Sequence, residues 1–275
     1  MIARTLQRRI VLRTEDAQVY SALRYLECAP EVAGDAPREL EIRIEPYRGY
    51  YRILEQEVAV CELLTAEDIT NHLHRRLFGL AIEERPKDLL LHAASLRRNG
   101  RRLLMVGTEG AGKTTLTLRL MLGGYDIEGD ENVFVDTNGV IARPRGMRVK
   151  EGTLAQLPQV ADRIAQAPHM VDGNGRKIYN LDPRFLGGRW QIQPGTVDII
   201  LLLHANHGGA SSIRPLSPIA AGREIMAEIG FPTLGRGRAV AALAGLTGRA
   251  RSFDVSLGES TQAVGLIDRV LAGSG

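Results

Sequence analysis

A glycine-rich loop between an apolar segment and a helical segment constrains the fold of this chain more than any other feature of its sequence. The loop matches the pattern G-x-x-x-x-G-K-(S/T) at Gly107, Gly112, Lys113 and Thr114. Residues 103–106 are all apolar, which is typical of a buried strand, and residues 114–122 have helical apolar spacing. The following pair of glycines predicts the end of that helix. The order strand, loop, helix predicts an α/β fold with a phosphate-binding loop.

In this arrangement, the backbone N–H groups of the loop and the N-terminus of the helix point toward a polyphosphate. We expect Lys113 to place its ammonium beside the terminal phosphates and the Thr114 hydroxyl to reach a magnesium ion. The sequence therefore predicts that the chain binds ATP and Mg²⁺. The loop residues expected to bind the nucleotide are Gly107, Glu109, Gly110, Ala111, Gly112, Lys113, Thr114 and Thr115.

Two adjacent carboxylates, Asp130 and Glu131, follow the loop at the end of a short apolar segment. One of two such carboxylates can accept the proton of an attacking hydroxyl while the other holds magnesium. An acidic turn without a chemical role is the alternative. His92 lies in the apolar residues 89–96, where a single histidine is more often a core residue. If its strand lies beside the loop, His92 can pair with Asp130 and tune its basicity.

Taken together, these segments resemble the catalytic domain of HPr kinase/phosphorylase, and more closely the HPr-kinase-like serine kinases of peptide-modification gene clusters. The resemblance is carried by His92-Ala-Ala-Ser, Asn99-Gly100, the loop, Gly123-Gly-Tyr and Gly129-Asp-Glu-Asn-Val. The spacing agrees, because His92 lies fifteen residues before Gly107 and Asp130 lies twenty-three after it. The match covers residues 90–136 well and residues 140–230 loosely.

The resemblance implies a serine kinase that uses Mg²⁺ and ATP and phosphorylates a peptide or small protein. Asp130 would be the catalytic base, His92 its partner and Lys113 the phosphate-binding catalytic lysine, while Thr114 and Glu131 would hold the metal. The implied fold is a P-loop kinase domain of the HPr kinase/phosphoenolpyruvate carboxykinase-like type. Because better-known relatives assemble, a homo-oligomer is also an expectation.

Two residues depart from the family pattern. Glu131 stands where the better-known members have a second aspartate, so its carboxylate reaches one methylene further. Glu109 lies within the loop, where a small or hydroxyl residue is usual, and we expect it to point to solvent or tighten a turn. The signature segment of HPr kinase is not found either. The resemblance therefore does not extend to phosphorylase activity or to HPr as the substrate.

A change in sequence pattern near residue 88 divides the chain into a small α+β N-terminal domain, residues 1–88, and a catalytic domain, residues 89–275. We predict strands at residues 9–13, 39–44, 50–54, 58–63, 89–96, 101–106, 125–127, 132–135, 197–204 and 251–255. We predict helices at residues 15–27, 65–84, 114–122, 217–229, 238–246 and 261–271. A capping box begins the second helix, and Asn99-Gly100 predicts a hairpin.

Residues 137–195 are rich in Gly, Pro, Arg and Asn and are predicted to be irregular. Their basic cluster consists of Arg143, Arg145, Arg148 and Lys150. It is interpreted either as a solvated face or as a mobile loop that closes on ATP, and Arg148 and Lys150 are included among the nucleotide-binding candidates. Arg189-Trp190 is interpreted as a packing anchor or as part of a peptide groove. Asp182 and Arg184 are equally ambiguous.

Composition excludes several other classes. The net charge is only +3, with a pI near 9.0, and no dense basic stretch is interleaved with aromatic residues, so nucleic acid is not an expected partner. No apolar run approaches the length of a membrane helix. The N-terminus lacks the apolar core of a signal peptide. Cys28 and Cys61 have no metal-binding spacing and are interpreted as reduced thiols of a cytoplasmic protein.

Two other functions stay open. Residues 108–115 are similar to the loop of thymidylate kinases, but that family carries its loop near the N-terminus. A nucleotide-sensing regulator that binds ATP without transferring phosphate is the alternative outside the enzymes, and the glutamates at positions 109 and 131 would fit it. Replacing Asp130 by Asn distinguishes these cases, because the variant of a kinase would retain binding and lose transfer.

Overall fold

The computed structural model describes residues 1–231 and 236–273. The N-terminal part contains the strands β1 Ile2–Arg4, β2 Arg8–Thr14, β3 Glu31–Val32, β4 Arg38–Tyr47, β5 Tyr50–Glu55 and β6 Val58–Leu63, and the helices α1 Ala17–Leu23 and α2 Ala66–Glu84. Within it, β1, β2, β4, β5 and β6 form one sheet in that order. The pair β2 and β4 is parallel, and the other pairs are antiparallel.

Helix α2 begins and packs as its sequence predicts. The Thr65 side chain accepts a hydrogen bond from the N–H of Asp68, and the Asp68 carboxylate accepts one from the N–H of Thr65. Apolar side chains repeat on one face of the helix at Ile69, Leu73, Leu77 and Leu80, and all are buried. They join β2, β4 and β5 in a compact apolar cluster, so the N-terminal part has a core of its own.

The second part is built on a larger sheet. Its strands are β7 Leu89–Arg98, β8 Arg101–Val106, β9 Asp126–Gly129, β10 Asn132–Val135, β11 Val140–Ala142, β12 Met147–Lys150, β13 His169–Val171, β14 Lys177–Leu181, β15 Gln191–Ile192, β16 Ile199–Ala205, β17 Ser212–Leu216, β18 Ile229–Phe231 and β19 Arg251–Leu257. Its helices are α3 Lys113–Leu122, α4 Glu151–Leu154, α5 Ala161–Ile164, α6 Pro218–Ile225, α7 Arg236–Arg249 and α8 Ser260–Ala272.

Within the described ranges, the large sheet has the order β11, β10, β7, β8, β16, β19, β17, and β9 and β18 also pair with β7. Strands β8, β16 and β19 run parallel. The glycine-rich loop therefore leaves the carboxyl end of a central parallel strand, where open α/β sheets bind ligands. The predicted α/β class is confirmed at this level.

The hairpin that leads into the loop forms as predicted. Asn99 and Gly100 have φ angles of 51° and 77°, the left-handed values that a two-residue hairpin turn requires. The turn fixes the register of β7 against β8, with Ala93 opposite Val106. On the other side of β7, His92 lies opposite Asn132 of β10. This register brings His92, the loop and the acidic pair to one region of the sheet.

The prediction of an irregular segment at residues 137–195 is wrong. Strands β12, β14 and β13 form a small antiparallel sheet in that order, and β15 pairs in parallel with β3 of the N-terminal part. These strands are two to five residues long, and several pair with distant segments of the chain. Sequence patterns over such short windows carry little information about pairing.

The predicted helix at residues 217–229 is too long. Ser217 caps α6 as expected, but α6 ends at Ile225 and a short 3₁₀ helix covers Met226–Glu228. Ile229 then begins β18, which pairs with β7. Pairing with the large sheet overrides the local helical pattern at this end. Glu228 is thereby held beside β7.

A buried ion pair ties the hairpin to the centre of the second part. Nε and Nη2 of Arg102 donate to the two oxygens of the Glu128 carboxylate, at 2.7 and 2.8 Å, and the Ser95 hydroxyl donates to the same carboxylate at 2.6 Å. Arg102 also donates to the carbonyl oxygens of Gln193 and Thr196. Because both charges are buried and satisfied, this cluster fixes how β7, β8 and β9 pack.

The two parts are in contact through several segments. Besides the pairing of β3 with β15, the Asn180 side chain donates to the carbonyl oxygen of Glu27 at 3.0 Å. The thiol-bearing residue Cys28 packs into the core of the second part, and Met170 packs against the core of the first. The domain boundary at residue 88 stays a prediction. Among the helices of residues 1–231 and 236–273, none is long and apolar enough to span a bilayer.

Candidate active site

A cleft of about 1120 Å³ opens above the glycine-rich loop. The predicted site residues that line it are His92, Glu109, Gly110, Ala111, Gly112, Lys113, Thr114, Thr115, Asp130, Glu131, Arg148 and Lys150. Gly107 is the predicted residue outside this lining. It lies at the base of the loop, where a Cβ atom would come within 2.7 Å of the carbonyl oxygen of Leu203. The fold therefore brings predicted residues from four segments of the sequence into one cavity.

The backbone of the loop needs its glycines. Gly110 and Gly112 have φ angles of 85° and 91°, which side-chain-bearing residues rarely adopt. A Cβ atom at Gly112 would also lie 2.7 Å from Cδ2 of Leu257. Helix α3 starts directly after Gly112, so its free N–H groups face the cleft. This is the geometry in which backbone amides cradle phosphate oxygens.

Lys113 places a buried positive charge in the loop. Its ammonium donates to the carbonyl oxygens of Gly107 and, at 3.1 Å, Thr108, and it forms no ion pair with any residue that the structure describes. Burial lowers the pKa of Lys113, although the charges of Glu228 and Asp130 oppose that shift. A buried ammonium held only by carbonyl oxygens retains capacity for an anion. The loop residues thus fit a polyphosphate.

Asp130 is a buried carboxylate on the cleft side of the loop. It is 5% exposed, and the Thr114 hydroxyl lies 3.5 Å from its Oδ2. Burial, together with the charge of Glu131, raises the pKa of Asp130 to about 7, although Arg145 and Arg148 act in the opposite direction. A carboxylate with a pKa near neutrality can take up and release a proton under ordinary conditions.

The neighbouring Glu131 forms an ion pair with Arg145. Burial alone would raise the pKa of Glu131, but the positive charges of Arg145, Arg148 and Arg143 outweigh it and lower that pKa below its usual value. The two adjacent carboxylates therefore differ in basicity. Asp130 is the group that binds a proton near neutral pH, and Glu131 stays charged.

A magnesium ion has two protein ligands available here, the Thr114 hydroxyl and a carboxylate of the acidic pair. Among the described residues, no group of three or more His, Cys, Asp or Glu side chains is arranged to hold a metal. Mg²⁺ is commonly held by one or two protein groups together with substrate phosphates and water. The donor set fits magnesium that arrives with a nucleotide.

His92 lies at the edge of the cleft with a different partner from the one predicted. Its Nδ1 is 3.6 Å from a carboxylate oxygen of Glu228, whereas the sequence suggested Asp130. The N–H of Ala93 donates to the carbonyl oxygen of Glu131 at 3.1 Å, which fixes β7 against the acidic pair. Burial and the charge of Lys113 lower the pKa of His92, so the imidazole is biased toward its neutral form.

Sequence reasoning missed Glu228. It lies 136 positions after His92, at the end of a segment whose pattern predicts helix, and no motif marks it. It becomes a neighbour of the cleft only because β18 pairs with β7. Its carboxylate raises the pKa values of both His92 and Lys113, against the effect of burial.

The basic cluster of residues 143–150 is not a solvated face. Arg143 is buried, and its guanidinium lies over the Phe78 ring at 4.7 Å from the ring centre. Arg148 is on β12, and its Nε donates to the Tyr25 hydroxyl at 3.0 Å. Only Lys150 is exposed, and it pairs with Glu109 of the loop. Arg148 and Lys150 lie on β12 beside the cleft, and Arg143 and Arg145 lie in the short connection between β11 and β12.

Two other ambiguous features have structural roles. Trp190 is 3% exposed, and its indole N–H donates to the carbonyl oxygen of Glu128 at 3.3 Å, so it is a packing anchor and not part of a peptide groove. Asp182 caps a short 3₁₀ helix and pairs with Arg184. Cys28 and Cys61 are both free thiols.

Glu109 points outward, as one of the two sequence expectations has it. Its side chain is largely exposed and meets Lys150 above the loop. The hydrogen bond and the charge of Lys150 lower the pKa of Glu109. The carboxylate therefore stays charged and turned to solvent, where it pairs with a cation of the opposite wall of the cleft.

Comparisons with known proteins find only a distant structural similarity. No protein-family model matches it, and no curated protein matches it. Among solved structures, it is similar to the HPr(Ser) kinase/phosphatase from Coxiella burnetii over 67% of this chain and 88% of that chain, with 13% identity and a TM-score of 0.34. A likeness at this TM-score carries no argument about function. Any functional conclusion therefore depends on the geometry of the cleft.

Proposed function

We propose that this chain is a Mg²⁺- and ATP-dependent serine kinase of the HPr-kinase-like type, acting on a serine of a peptide or small protein. In this proposal, residues 89–275 form the catalytic P-loop domain and residues 1–88 form the smaller domain. The observation that carries the proposal is the position of Asp130. A buried carboxylate with a pKa of about 7 lies beside the hydroxyl of the phosphate loop.

Asp130 is assigned the role of general base. Its carboxylate accepts the proton of the acceptor hydroxyl as the serine oxygen bonds to the γ-phosphorus and the bond from that phosphorus to the β,γ-bridging oxygen breaks, releasing ADP. The pKa raised by burial suits this role, because a base is most effective when its pKa lies near the working pH.

The loop residues hold and orient the triphosphate. The N–H groups of residues 110–115 and the buried ammonium of Lys113 bind phosphate oxygens, and Thr114 and Glu131 would hold magnesium. Magnesium, when bound, neutralises charge on the phosphate oxygens. Arg148 and Lys150 close the opposite wall of the cleft, where they are placed to contact phosphate oxygens. His92, held beside Glu228, lines the edge of the same cleft.

The test is phosphoryl transfer observed by mass spectrometry. Small proteins and peptides encoded beside the gene are incubated with the purified chain, magnesium and ATP. We expect one of them to gain a single phosphate on a serine. Asp130→Asn is expected to bind ATP normally and to lose transfer by about 100-fold or more. Asp126→Asn, which changes a half-buried carboxylate paired with Arg189, is the matched control and is expected to transfer normally.

Other outcomes redirect the assignment. Normal transfer by Asp130→Asn would overturn the role of Asp130 as base. ATP binding without transfer to any peptide, protein or free amino acid would favour a nucleotide-sensing regulator, in which Glu131 serves structure through Arg145. Phosphorylation of a nucleoside monophosphate would instead favour a nucleoside monophosphate kinase, the alternative suggested by the likeness of residues 108–115 to the thymidylate kinase loop.

A further inference from the structure

A small cavity lies between the N-terminal sheet and the segment that carries the basic cluster. Its volume is about 30 Å³, and it is separate from the cleft above the loop. Arg4 and His74 enter it from the N-terminal part, and Arg143 and Arg145 enter it from the second part. A water-sized particle needs about 10–15 Å³ of such space. The cavity is therefore large enough for one or two water-sized particles.

Three polar atoms of the lining residues have no partner. Nε of Arg4, Nε2 of His74 and Nη2 of Arg145 are all buried without a hydrogen bond. Buried polar atoms form hydrogen bonds in the great majority of cases. Three unpaired polar atoms on residues around one small cavity therefore indicate that the cavity holds a bound molecule or ion. Both guanidinium atoms are obligatory donors, and the neutral imidazole can donate through Nε2. The occupant must therefore be an acceptor.

The charge of the lining specifies the occupant further. The described residues that line the cavity include three guanidinium groups and no carboxylate. The carboxylate of Glu131 pairs with Arg145 from the cleft side. Burial, with the charge of Arg145, lowers the pKa of Arg143 to about 10. Burial, with the charges of Arg145, Arg143 and Arg148, lowers the pKa of His74 to about 4. Both shifts arise first from burial, and the neighbouring positive charges act in the same direction.

Three guanidinium groups with one neighbouring carboxylate leave a net positive charge at the cavity, which is costly and which a neutral water molecule does not remove. We propose that this cavity binds one small monovalent inorganic anion of the halide class, held by Arg4, His74 and Arg145. Chloride has the size, the charge and the purely accepting character that the cavity requires. The site joins both parts of the chain, and through Arg145 it lies one side chain away from Glu131.

The direct test is crystallography with bromide, which replaces chloride and is located by its anomalous scattering. Crystals of the full chain grown in sodium bromide are expected to contain one ordered bromide in the cavity, in contact with Arg4, His74 and Arg145. Density for water alone at that position, or a cavity closed by rotation of these side chains, would overturn the proposal.

The solution test compares thermal unfolding at constant ionic strength as potassium gluconate is replaced by potassium bromide. The wild-type Tm is expected to rise saturably, by about 3 °C. Arg4→Met should lose most of that rise, because it removes one of the three donors. Arg9→Met is the matched control, since Arg9 lies opposite Arg4 on β2 and pairs with Glu39 at the surface. An equal rise in all three proteins would contradict the proposal.

Discussion

Two buried carboxylates, two positions apart in the chain, are stabilised in opposite ways. Glu128 is 1% exposed and accepts hydrogen bonds from Arg102 and Ser95, so its charge is neutralised inside the protein. Asp130 is 5% exposed, and its one side-chain hydrogen bond, from Thr114, is long at 3.5 Å. Local sequence does not distinguish the two acids. The difference arises because Glu128 faces the hairpin and Asp130 faces the cleft.

Removing the counter-charge of Glu128 should greatly reduce the stability of the folded protein. In Arg102→Met, the apolar stem of the side chain is kept while the carboxylate is left buried without a cation. We expect the free energy of unfolding to fall by about 3–5 kcal/mol, measured by urea denaturation at neutral pH. Arg97→Met is the control, because Arg97 lies opposite Arg102 in the hairpin and donates a hydrogen bond to the uncharged Gln193 side chain. Similar losses in both variants would show that the buried pair is not special.

Asp130 should instead reduce stability when it is charged. Its pKa in the folded protein is about 7 and its reference value is 3.8, so the folded state holds the proton more tightly than the unfolded chain. Wild-type stability relative to Asp130→Asn is therefore expected to fall as the pH rises from about 4 to about 7, by on the order of a few kcal/mol. Denaturation curves of both proteins across this range, without nucleotide or metal, measure it.

Asp172→Asn provides a control of opposite sign. Hydrogen bonds from the backbone N–H groups of Arg176 and Asn174 lower the pKa of Asp172, which is exposed. Its contribution to stability is present above its unfolded pKa and is lost as the pH falls through its lowered folded pKa. A stability difference at Asp130 that does not change with pH would contradict the assignment of a buried, uncompensated carboxylate there.

At the scale of elements, the glycine-rich loop offers the clearest test. Gly112 has a φ of 91°, and an added Cβ atom would press on Leu257. We expect Gly112→Ala to bind ATP about tenfold more weakly, since an L-residue in this conformation costs about 1–2 kcal/mol. Isothermal titration calorimetry with ATP measures the effect.

Gly152→Ala is the matched control for the loop. Gly152 also lines the cleft, but its φ is not left-handed and a Cβ atom there would meet no other atom. Its affinity for ATP is expected to match that of the wild type. If Gly112→Ala binds ATP as well as Gly152→Ala does, then the left-handed turn is not required for the nucleotide.

The elements that the sequence predicts well are those defined by local chemistry. The capping box of α2, the turn at Asn99 and Gly100, and the strand before the loop each depend on neighbouring residues, and all three form. The elements that it misses depend on distant partners. Strands β3 and β15 are two residues long and pair across about 160 positions, and β18 replaces the end of a predicted helix because β7 is beside it.

The candidate site follows the same division. The loop and the acidic pair lie within one segment and could be proposed from spacing alone. Glu228 and Arg145 could not, because their relation to His92 and Glu131 is created by the pairing of β18 with β7 and by the turn before β12. For this reason the sequence suggests Asp130 as the partner of His92, whereas in the structure Nδ1 of His92 lies 3.6 Å from Glu228.

At the scale of the whole molecule, the two parts are joined closely enough to unfold together. The pairing of β3 with β15, the bond from Asn180 to Glu27 and the bond from Arg148 to Tyr25 all cross between them. We expect a single transition in differential scanning calorimetry, with the calorimetric enthalpy equal to the van't Hoff enthalpy. Two resolved endotherms would show that the cores unfold independently.

The pairing of β3 with β15 also limits where the chain can be cut to express its two parts separately. The N–H of Glu31 donates to the carbonyl oxygen of Trp190, and the N–H of Ala33 donates to that of Ile192. A chain that began at residue 89 would lack these donors and would uncover Ile192, which is completely buried here. An unpaired strand edge beside an exposed apolar side chain tends to pair with other chains, so such a fragment would be expected to aggregate during expression.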